Sequence, residues 1–279
     1  MKLIVKEKDT LYNYLRKNIE NKSKNNIKSL LKRNLVEVNN KVVTKYDYSI
    51  NKDDIITINN GYSYGEETLK IIYEDDNIIV IDKPTKMLTI SNKHEKENTL
   101  YRKVSDYLKK EKEKVFIIHR LDYDTSGVIM FAKNQSVQKM YQESWNSLAK
   151  KREYIAIVEG KTLNSGHIES YLKESKTLEV YSSKNKDGLF AITDYEKING
   201  NSKYSMLRIL ISTGRRNQIR CHMSDINHPI VGDSKYKSKN NPYNRLMLHA
   251  STLVIEDPLT KKIFTFSSPI PNEFTEIIK

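Results

Sequence analysis

The chain has 279 residues with 48 Lys and Arg against 35 Asp and Glu, a net charge of +13, and is long enough for a small domain followed by a larger one. This excess favours a polyanionic partner, nucleic acid first, although abundant Lys, Asn and Ile also fit an AT-rich genome. The single cysteine, Cys221, excludes an intramolecular disulfide, and no apolar run approaches the roughly 20 residues that span a bilayer, so we predict a cytoplasmic protein with no membrane association.

Residues 1–61 have the pattern of a separate small domain. Apolar residues recur at helical spacing in two segments, Leu11, Tyr14, Leu15 and Ile19, then Ile27, Leu30 and Leu31. The stretch VEVNNKVV then predicts strand, Asn-Asn turn and strand, and a last strand is predicted at 55–58.

The second predicted helix carries a basic stripe. Lys24, Lys28 and Lys32 recur every four residues, and Arg33 extends them. A charge stripe is usually only a solvated helix face. Because this one has no acidic residue to alternate with, it favours contact with phosphates.

Residues 62–68 are predicted to be a linker, and residues 69–279 a second domain. Two β-rich runs flank the acidic turn at 74–77, a helix is expected to begin at Thr99, and a single amphipathic helix to cover 137–148. Asn185–Gly188 predicts the turn of a β-hairpin. Residues 235–244 are polar, basic and aromatic, which fits either a flexible surface loop near the substrate or an ordinary loop. Many short strands and few long helices indicate an α+β domain built on a mixed, largely antiparallel sheet.

The segment HRLDYDTSG, residues 119–127, lies between two apolar runs that indicate buried strands. Its arginine, its two carboxylates and the hydroxyls of Thr125 and Ser126 would lie against low-dielectric walls, where unpaired charge is costly and paired charge is reactive. The alternative is a tight turn in which Asp124, Thr125 and Ser126 cap backbone groups.

The segment TGRRNQIRCH contains the densest arginine cluster, with Arg215, Arg216 and Arg220. Arginine recognises phosphate or carboxylate through two parallel hydrogen bonds, so Arg215 is a candidate contact for a phosphate of the nucleic acid. Cys221, His222 and His228 are conceivable metal ligands, but neither a CxxC pair nor an HxxxH spacing completes a usual site, and no metal is expected. No GxxxxGK[ST] or GxGxxG motif supports a nucleotide cofactor.

Four motifs together resemble the RluA family of RNA pseudouridine synthases: HRLDYDTSG, REYIAIVEG, TGRRNQIRCH and RLMLHA, with NHPIVGD before Tyr236 as a further similarity. The resemblance implies the pseudouridine synthase fold in 69–279, isomerisation of uridine in RNA, and no cofactor. Residues 1–61 resemble the S4 RNA-binding domain. S4-bearing members of the family imply large-subunit ribosomal RNA, or a ribosome assembly intermediate, as the partner, and the protein is expected to be a monomer.

The resemblance also implies residue roles. Asp122 matches the catalytic aspartate, Arg220 the arginine that pairs with it, and Tyr154 the tyrosine that packs against the flipped base. Arg120 matches the arginine that displaces the target nucleotide, and Leu248 an apolar wall of the base pocket.

The chain departs from the family pattern at two places, neither at these residues. The family often has Thr-His where this chain has Arg216-Asn217, and a glycine is common near Lys86.

Two other function classes stay open from the sequence. A non-catalytic RNA-binding assembly factor would use the same fold, although such a degenerate enzyme would be expected to have lost the carboxylate of Asp122. A nucleic-acid glycosidase would need a second acid for the leaving group, which Asp124 would supply. Whether the carboxylate of Asp122 acts as a nucleophile or removes a proton is also left open.

Overall fold

The structure is a computed structural model that describes residues 2–19, 27–28, 30–31, 36–58, 69–92, 95–109, 112–175, 177 and 179–279. The chain divides into two compact units, residues 1–68 with 91–98, and residues 69–90 with 99–279. The predicted linker at 62–68 lies outside the described residues. Across the described ranges, no helix is long and apolar enough to cross a membrane.

The first unit is a small sheet packed against helices. Its described elements are β1 (Lys2–Ile4), β2 (Asp9–Thr10), α1 (Leu11–Asn18), β3 (Val36–Val38), β4 (Lys41–Val42), β5 (Ser49–Ile50) and β6 (Ile55–Ile58). The sheet has the order β1-β6-β3-β4, and β2 pairs with β5. Asn39 and Asn40 both have positive φ, 50° and 63°, which a two-residue turn between β3 and β4 requires. The predicted hairpin and last strand are confirmed.

The apolar positions predicted for the two N-terminal helices are buried. Leu11, Tyr14 and Leu15 on α1 are buried, as are Ile27, Leu30 and Leu31, which are helical. Of the basic stripe, only Lys28 is described, and its side chain is exposed, with Nζ 5.9 Å from the ring centre of Tyr12. Lys24, Lys32 and Arg33 lie outside the described residues.

The second unit is built on one large, largely antiparallel sheet, as the sequence predicted. Its strands are β7 (Ile71–Glu74), β8 (Ile78–Lys83), β9 (Phe116–Ile117), β10 (Ser126–Ala132), β11 (Ala149–Glu159), β12 (Ser165–Glu174), β13 (Val180–Ser183), β14 (Leu189–Gly200), β15 (Tyr204–Ile211), β16 (Leu248–Glu256) and β17 (Ile263–Ser267). Their order is β13-β12-β14-β15-β11-β16-β10-β8-β7, with β17 beside β16 and β9 beside β10.

Helices cover the faces of this sheet. They are α2 (Leu100–Leu108), α3 (Gln135–Glu143), α4 (Trp145–Leu148), α5 (Gln218–Asp225) and α6 (Asn272–Glu276). Helix α2 begins as predicted, because the Thr99 hydroxyl caps it by accepting a hydrogen bond from the Arg102 N–H at 3.2 Å. Leu100, Val104 and Leu108 form its buried side, which confirms the predicted helix face.

Two local predictions are wrong. The strands on either side of Asn185–Gly188 do not form a hairpin, because β13 and β14 pair with opposite edges of β12. The helix expected over 137–148 breaks at Ser144 into α3 and α4, and Met140 is exposed. For the expected hairpin, the pairing of both strands with β12 overrides the local turn pattern.

One parallel pair interrupts the antiparallel sheet and positions the site. Ser126 and Gly127, which open β10, pair in parallel with His249 and Ala250 of β16. The HRLDYDTSG and RLMLHA motifs therefore meet in the middle of the sheet. Strand β11, which carries Tyr154, pairs with the other side of β16.

Candidate active site

The backbone of the loop between β9 and β10 is held by hydrogen bonds to threonine hydroxyls in the segment that follows β8. The Thr89 hydroxyl donates to the Leu121 carbonyl at 2.8 Å and accepts from the Leu121 N–H at 3.2 Å. The Thr85 hydroxyl donates to the Asp124 carbonyl at 2.7 Å. Asp122 lies between these two anchored residues, so its backbone is fixed on both sides.

Lys83, the last residue of β8, lies beneath the same loop. Its ammonium group is buried and donates to the carbonyl oxygens of Pro84, Met87 and Tyr123 at 3.0, 2.7 and 3.2 Å. Burial lowers the pKa of Lys83 to about 7, although the negative charge of Asp122 acts to raise it. A lysine buried beside the candidate catalytic carboxylate therefore supports both the shape and the electrostatics of the loop.

His119, the first residue of the HRLDYDTSG motif, is an anchor for the loop. Its ring stacks on Trp145 with 4.6 Å between ring centres, and its Nε2 accepts a hydrogen bond from the Met130 N–H at 3.1 Å. Burial, assisted by the nearby charge of Arg152, lowers the pKa of His119 to about 3. The imidazole is therefore neutral near pH 7. Its stacking on Trp145 and its hydrogen bond from Met130 indicate a structural role in holding the loop.

The end of the motif requires small residues because two strands approach closely. Gly127 has φ of +112°, and a Cβ built there would lie 2.1 Å from the Ala250 carbonyl oxygen. Beside it, the Ser126 hydroxyl lies 2.9 Å from His249 Nδ1 and accepts from Arg245 Nη2 at 2.7 Å. These contacts join the HRLDYDTSG motif to the RLMLHA motif and fix where β10 begins.

The carboxylate of Asp122 is half-buried, and among the described residues no hydrogen bond to it is found. Three groups nonetheless interact with its charge: it acts to raise the pKa of Lys83, Tyr154 and Arg220. Asp122 thus has basic neighbours, and its carboxylate oxygens accept no hydrogen bond from the described residues. That combination leaves the carboxylate available to a substrate.

Arg220 is held on α5 by a second acidic residue. Its Nε and Nη2 donate to Asp233 Oδ2 and Oδ1, both at 2.7 Å, and its guanidinium lies 4.9 Å from the ring centre of Tyr236. Burial opposes the charge of Arg220, but the Asp233 pair and the charge of Asp122 outweigh it and raise the arginine pKa. The resemblance implied a pair with Asp122, whereas the ion pair in the structure is with Asp233, because the chain folds back after α5 and brings Asp233 to the guanidinium.

Tyr154 and Leu248 face different environments. Burial raises the pKa of Tyr154 to about 12, with a further contribution from Asp122, so its hydroxyl stays protonated. The Tyr154 ring contacts the apolar clusters on both sides of β11 and β16, and only part of the residue is buried. Leu248 is a core residue with 3% exposure.

The two basic candidates for RNA contact lie at the surface. Arg120 is exposed beside the anchored His119, and Arg215 is exposed at the start of the loop before α5. Arg216 pairs with Glu174 at 2.5 Å, and Asn217 has φ of +50° at the start of α5. Lys86, where the family favours a glycine nearby, also has a positive φ of 56°, a conformation that glycine adopts most readily.

Residues 77–225 match the family model described as RNA pseudouridylate synthase. Ribosomal large subunit pseudouridine synthase D of Blochmanniella floridana is 32% identical over 92% of this chain and 89% of its own length.

The chain belongs to the RluA family of RNA pseudouridine synthases.

One further relative agrees with this membership, and one solved structure shows the fold. The tRNA pseudouridine synthase C of Haemophilus ducreyi is 32% identical over 74% of this chain and 93% of its own length. The solved structure of human RNA Pseudouridylate Synthase Domain Containing 1 has a TM-score of 0.62 over 75% of this chain and 86% of that one, with 20% identity. The last likeness shows the pseudouridine synthase fold, which the large sheet of residues 69–279 shares. As a family member the chain is an isomerase that acts on RNA.

Two residues of this synthase site escape sequence reasoning. The sequence pattern places Lys83 only at the end of a strand, and Asp233 only within the NHPIVGD similarity. A signal is present for Lys83, since a lysine that closes the apolar run IIVIDK is in a position where an unpaired charge is costly. No local pattern shows that Asp233 would reach Arg220, because that contact depends on how the chain folds back after α5.

The side chains considered as metal ligands have other partners. His222 is buried with its Nδ1 2.8 Å from the Thr193 hydroxyl and its Nε2 2.8 Å from the Ser170 hydroxyl. His228 Nδ1 lies 2.8 Å from the Glu159 carbonyl oxygen. Burial raises the pKa of Cys221 to about 12, so its thiol stays protonated near neutral pH.

One carboxylate, that of Glu159, accepts several hydrogen bonds from the loop at 235–244. Glu159 Oε1 accepts from the Ser238 hydroxyl at 2.7 Å, the Lys239 N–H at 2.8 Å, and the N–H and side-chain amide of Asn240 at 2.9 and 3.0 Å. Burial opposes the charge of Glu159, but these hydrogen bonds outweigh it and lower the pKa of Glu159. No sequence pattern indicates this anchor.

Proposed function

We propose that this chain converts specific uridines of large-subunit ribosomal RNA into pseudouridine, with Asp122 as the catalytic carboxylate. The observation that carries the proposal is the state of Asp122. It is half-buried, fixed on both sides by loop hydrogen bonds, and close to the charges of Lys83 and Arg220, while its own oxygens are not occupied by the described residues.

The chemistry suits this arrangement. The C1′–N1 glycosidic bond breaks, the detached uracil rotates, and C1′ bonds to C5. The hydrogen of C5 is then released and N1 gains one. The product has the same atoms as the substrate, so the reaction needs neither a redox partner nor a group donor. An ionised carboxylate acts either as a nucleophile at the sugar or as a base, and the charge of Asp122 interacts with those of Lys83 and Arg220.

The target base must leave its stack before the reaction, which costs a few kcal/mol. Tyr154 offers an apolar ring with a protonated hydroxyl for packing against the flipped base, and the exposed Arg120 is proposed to occupy the space it leaves. Leu248 is proposed as an apolar wall of the base pocket behind Tyr154. Because Leu248 is buried, the flipped base would reach it only after small movements of the core.

Ribosomal RNA is favoured over transfer RNA by the extent of the two likenesses. The relative named for the ribosomal large subunit aligns with 92% of this chain, which extends beyond residues 69–279. The relative named for tRNA aligns with 74%. Residues 1–61 are proposed to act as an S4-like module in which Lys24, Lys28, Lys32 and Arg33 contact phosphates. The cytoplasmic location and monomeric state stay predictions.

The test is tritium release from RNA that contains 5-tritiated uridine, because C5 releases its hydrogen only when the new bond forms. Purified protein is incubated with large-subunit ribosomal RNA fragments and, separately, with transfer RNA. Release from ribosomal RNA with no free uracil supports the proposal. Release of free uracil would indicate a glycosidase, and RNA binding without either product would indicate an assembly factor.

A further inference from the structure

Arg152, on β11 two residues before Tyr154, has a guanidinium group that no carboxylate neutralises among the described residues. Its Nη2 donates to the Ser212 carbonyl oxygen at 2.6 Å, and its Nε is buried without a hydrogen-bond partner. Burying a charge that has no opposite charge beside it is costly. An anion bound beside Arg152 would supply the missing opposite charge, and this would explain why the fold keeps a partly buried arginine next to the candidate active site.

The charge of a second arginine, Arg215, acts on Arg152. Gly214 precedes Arg215, and a Cβ built at Gly214 would lie 3.0 Å from Arg152 Nη1, so the missing side chain leaves room for the guanidinium of Arg152. Arg215 donates through Nε to the Phe190 carbonyl oxygen at 3.0 Å, and it too lacks an ion pair with any described residue. Burial lowers the pKa of Arg152, and the charge of Arg215 lowers it further.

Arg152 also interacts with the candidate active site itself. Its charge lowers the pKa of His119 and opposes the rise in the pKa of Tyr154. The charge of Arg152 therefore acts both on the anchor of the catalytic loop and on the ring proposed to pack against the flipped base. An anion bound there would be adjacent to the reacting nucleotide.

We propose that Arg152 and Arg215 together bind one phosphodiester group of the RNA, at a linkage next to the target uridine. A flipped nucleotide rotates about its backbone into the pocket, so its flanking phosphates approach the groups around that pocket. Arginine binds phosphate through charge-assisted hydrogen bonds. The phosphate would supply the negative charge that no described residue supplies to these two arginines. This inference rests on the proposed RNA substrate but not on the reaction taking place.

The experiment removes the charge of single phosphates. Binding is measured for the Asp122→Asn protein, so that the RNA stays unchanged, to the large-subunit ribosomal RNA fragment it binds most tightly. Each linkage in turn is replaced by a neutral methylphosphonate. Replacing one linkage is expected to lower the affinity about tenfold, since it removes a hydrogen bond between charged groups. Adding Arg152→Gln is expected to weaken binding of unmodified RNA by a similar factor and to abolish the effect of that one methylphosphonate.

Two variants serve as controls. Arg152→Lys keeps the charge and is expected to retain most of the sensitivity to that linkage. Arg216→Gln, in the same loop but paired with Glu174, is expected to leave the sensitivity to that linkage unchanged. A purely structural role for Arg152 would weaken binding at all linkages equally, because it would not single out one phosphate.

The outcomes separate this inference from the proposed function. If Arg152→Gln and every methylphosphonate act additively, the phosphate site is refuted even when the wild-type protein releases tritium. If the coupling to one linkage is found but the wild-type protein releases no tritium, the phosphate site stands and the proposed reaction falls. Arg215→Gln is expected to show the same coupling, and its absence would also overturn the site.

Discussion

Arg220 and Asp233 form a two-point ion pair, with both hydrogen bonds at 2.7 Å, and the side chain of Asp233 is 1% exposed. The pair fixes the guanidinium in one orientation while Asp122 interacts with the same charge. Arg220 is thus shared between a carboxylate that orients it and a carboxylate proposed to react. We therefore propose that Asp233 is a positioning residue that acts on the reaction through Arg220.

Asp233→Asn is expected to lower the single-turnover rate of tritium release by about ten- to a hundredfold while changing RNA affinity little. The amide can still accept one hydrogen bond, but it no longer carries the charge that holds Arg220. Arg220→Gln should lower this rate by a similar factor. The double variant should lower it no more than the more severe single variant does, because the two residues act as a unit. Glu174→Gln, at an exposed arginine pair, is the control. Fully additive effects would contradict the shared role.

Asp122→Asn is expected to abolish detectable tritium release while RNA binding stays close to that of the wild-type protein. The amide keeps the size of the side chain but removes the charge that both proposed routes require. Asp124→Asn should retain measurable activity, because Asp124 is held through its backbone carbonyl oxygen, which accepts from Thr85. Circular dichroism checks folding of both proteins. A folded Asp122→Asn protein with near-wild-type release would refute the assignment.

Elements set by local pattern were predictable from the sequence. The Asn39–Asn40 turn, the capped helix that follows Thr99 and the largely antiparallel sheet all occur as predicted, since each depends on neighbouring residues or on strand content. The hairpin at Asn185–Gly188 failed because strand pairing is a long-range choice. Its turn residues fit a hairpin, but both flanking strands pair with β12 instead.

The motifs of the candidate site could be predicted from the sequence, but the residues that hold those motifs in place could not. The HRLDYDTSG loop could be found because its polar residues interrupt apolar runs. The partners of that loop, Lys83 and Thr89, are 30 to 40 residues earlier in the chain, and sequence spacing does not show that their side chains reach its carbonyl oxygens. The same holds for Asp233, which reaches Arg220 only after the chain reverses beyond α5.

Lys83→Met is expected to change the stability of the large unit by an amount that depends on pH. Burial lowers the pKa of Lys83 from 10.5 in the unfolded chain to about 7, so between these values the unfolded chain binds more protons than the folded one. The free energy of unfolding therefore increases with rising pH above about 7. Relative to Lys83→Met, the wild-type protein should gain about 1–3 kcal/mol between pH 7 and pH 9.

Trp145, the single tryptophan, reports this unfolding, because its ring stacks on His119 within the large unit. Urea unfolding followed by Trp145 fluorescence at several pH values gives the free energy of unfolding of the wild-type and Lys83→Met proteins. A constant difference between them across that pH range would show that Lys83 does not titrate there.

Gly127→Ala is expected to prevent stable folding of the large unit. The added Cβ would lie 2.1 Å from the Ala250 carbonyl oxygen, and both the φ of +112° and the paired backbone resist adjustment. A cost above about 3 kcal/mol follows from the combined clash and backbone strain. Gly214→Ala is the control, because its Cβ meets only the end of the flexible Arg152 side chain at 3.0 Å. Soluble yield and Trp145 fluorescence compare the two.

Replacing Lys24, Lys28, Lys32 and Arg33 together by Gln is expected to weaken RNA binding and flatten its dependence on salt. Each phosphate that the variant no longer neutralises should reduce the slope of log affinity against log salt, by about 0.7 for a single strand and about 0.9 for a duplex. Activity at saturating RNA should stay near wild type, because the stripe is proposed to place the substrate rather than to react. Lys150→Gln with Lys261→Gln removes two lysines already paired with Glu256 and should change the slope less. Equal slopes for the fourfold variant and the wild-type protein would exclude a phosphate role for the stripe.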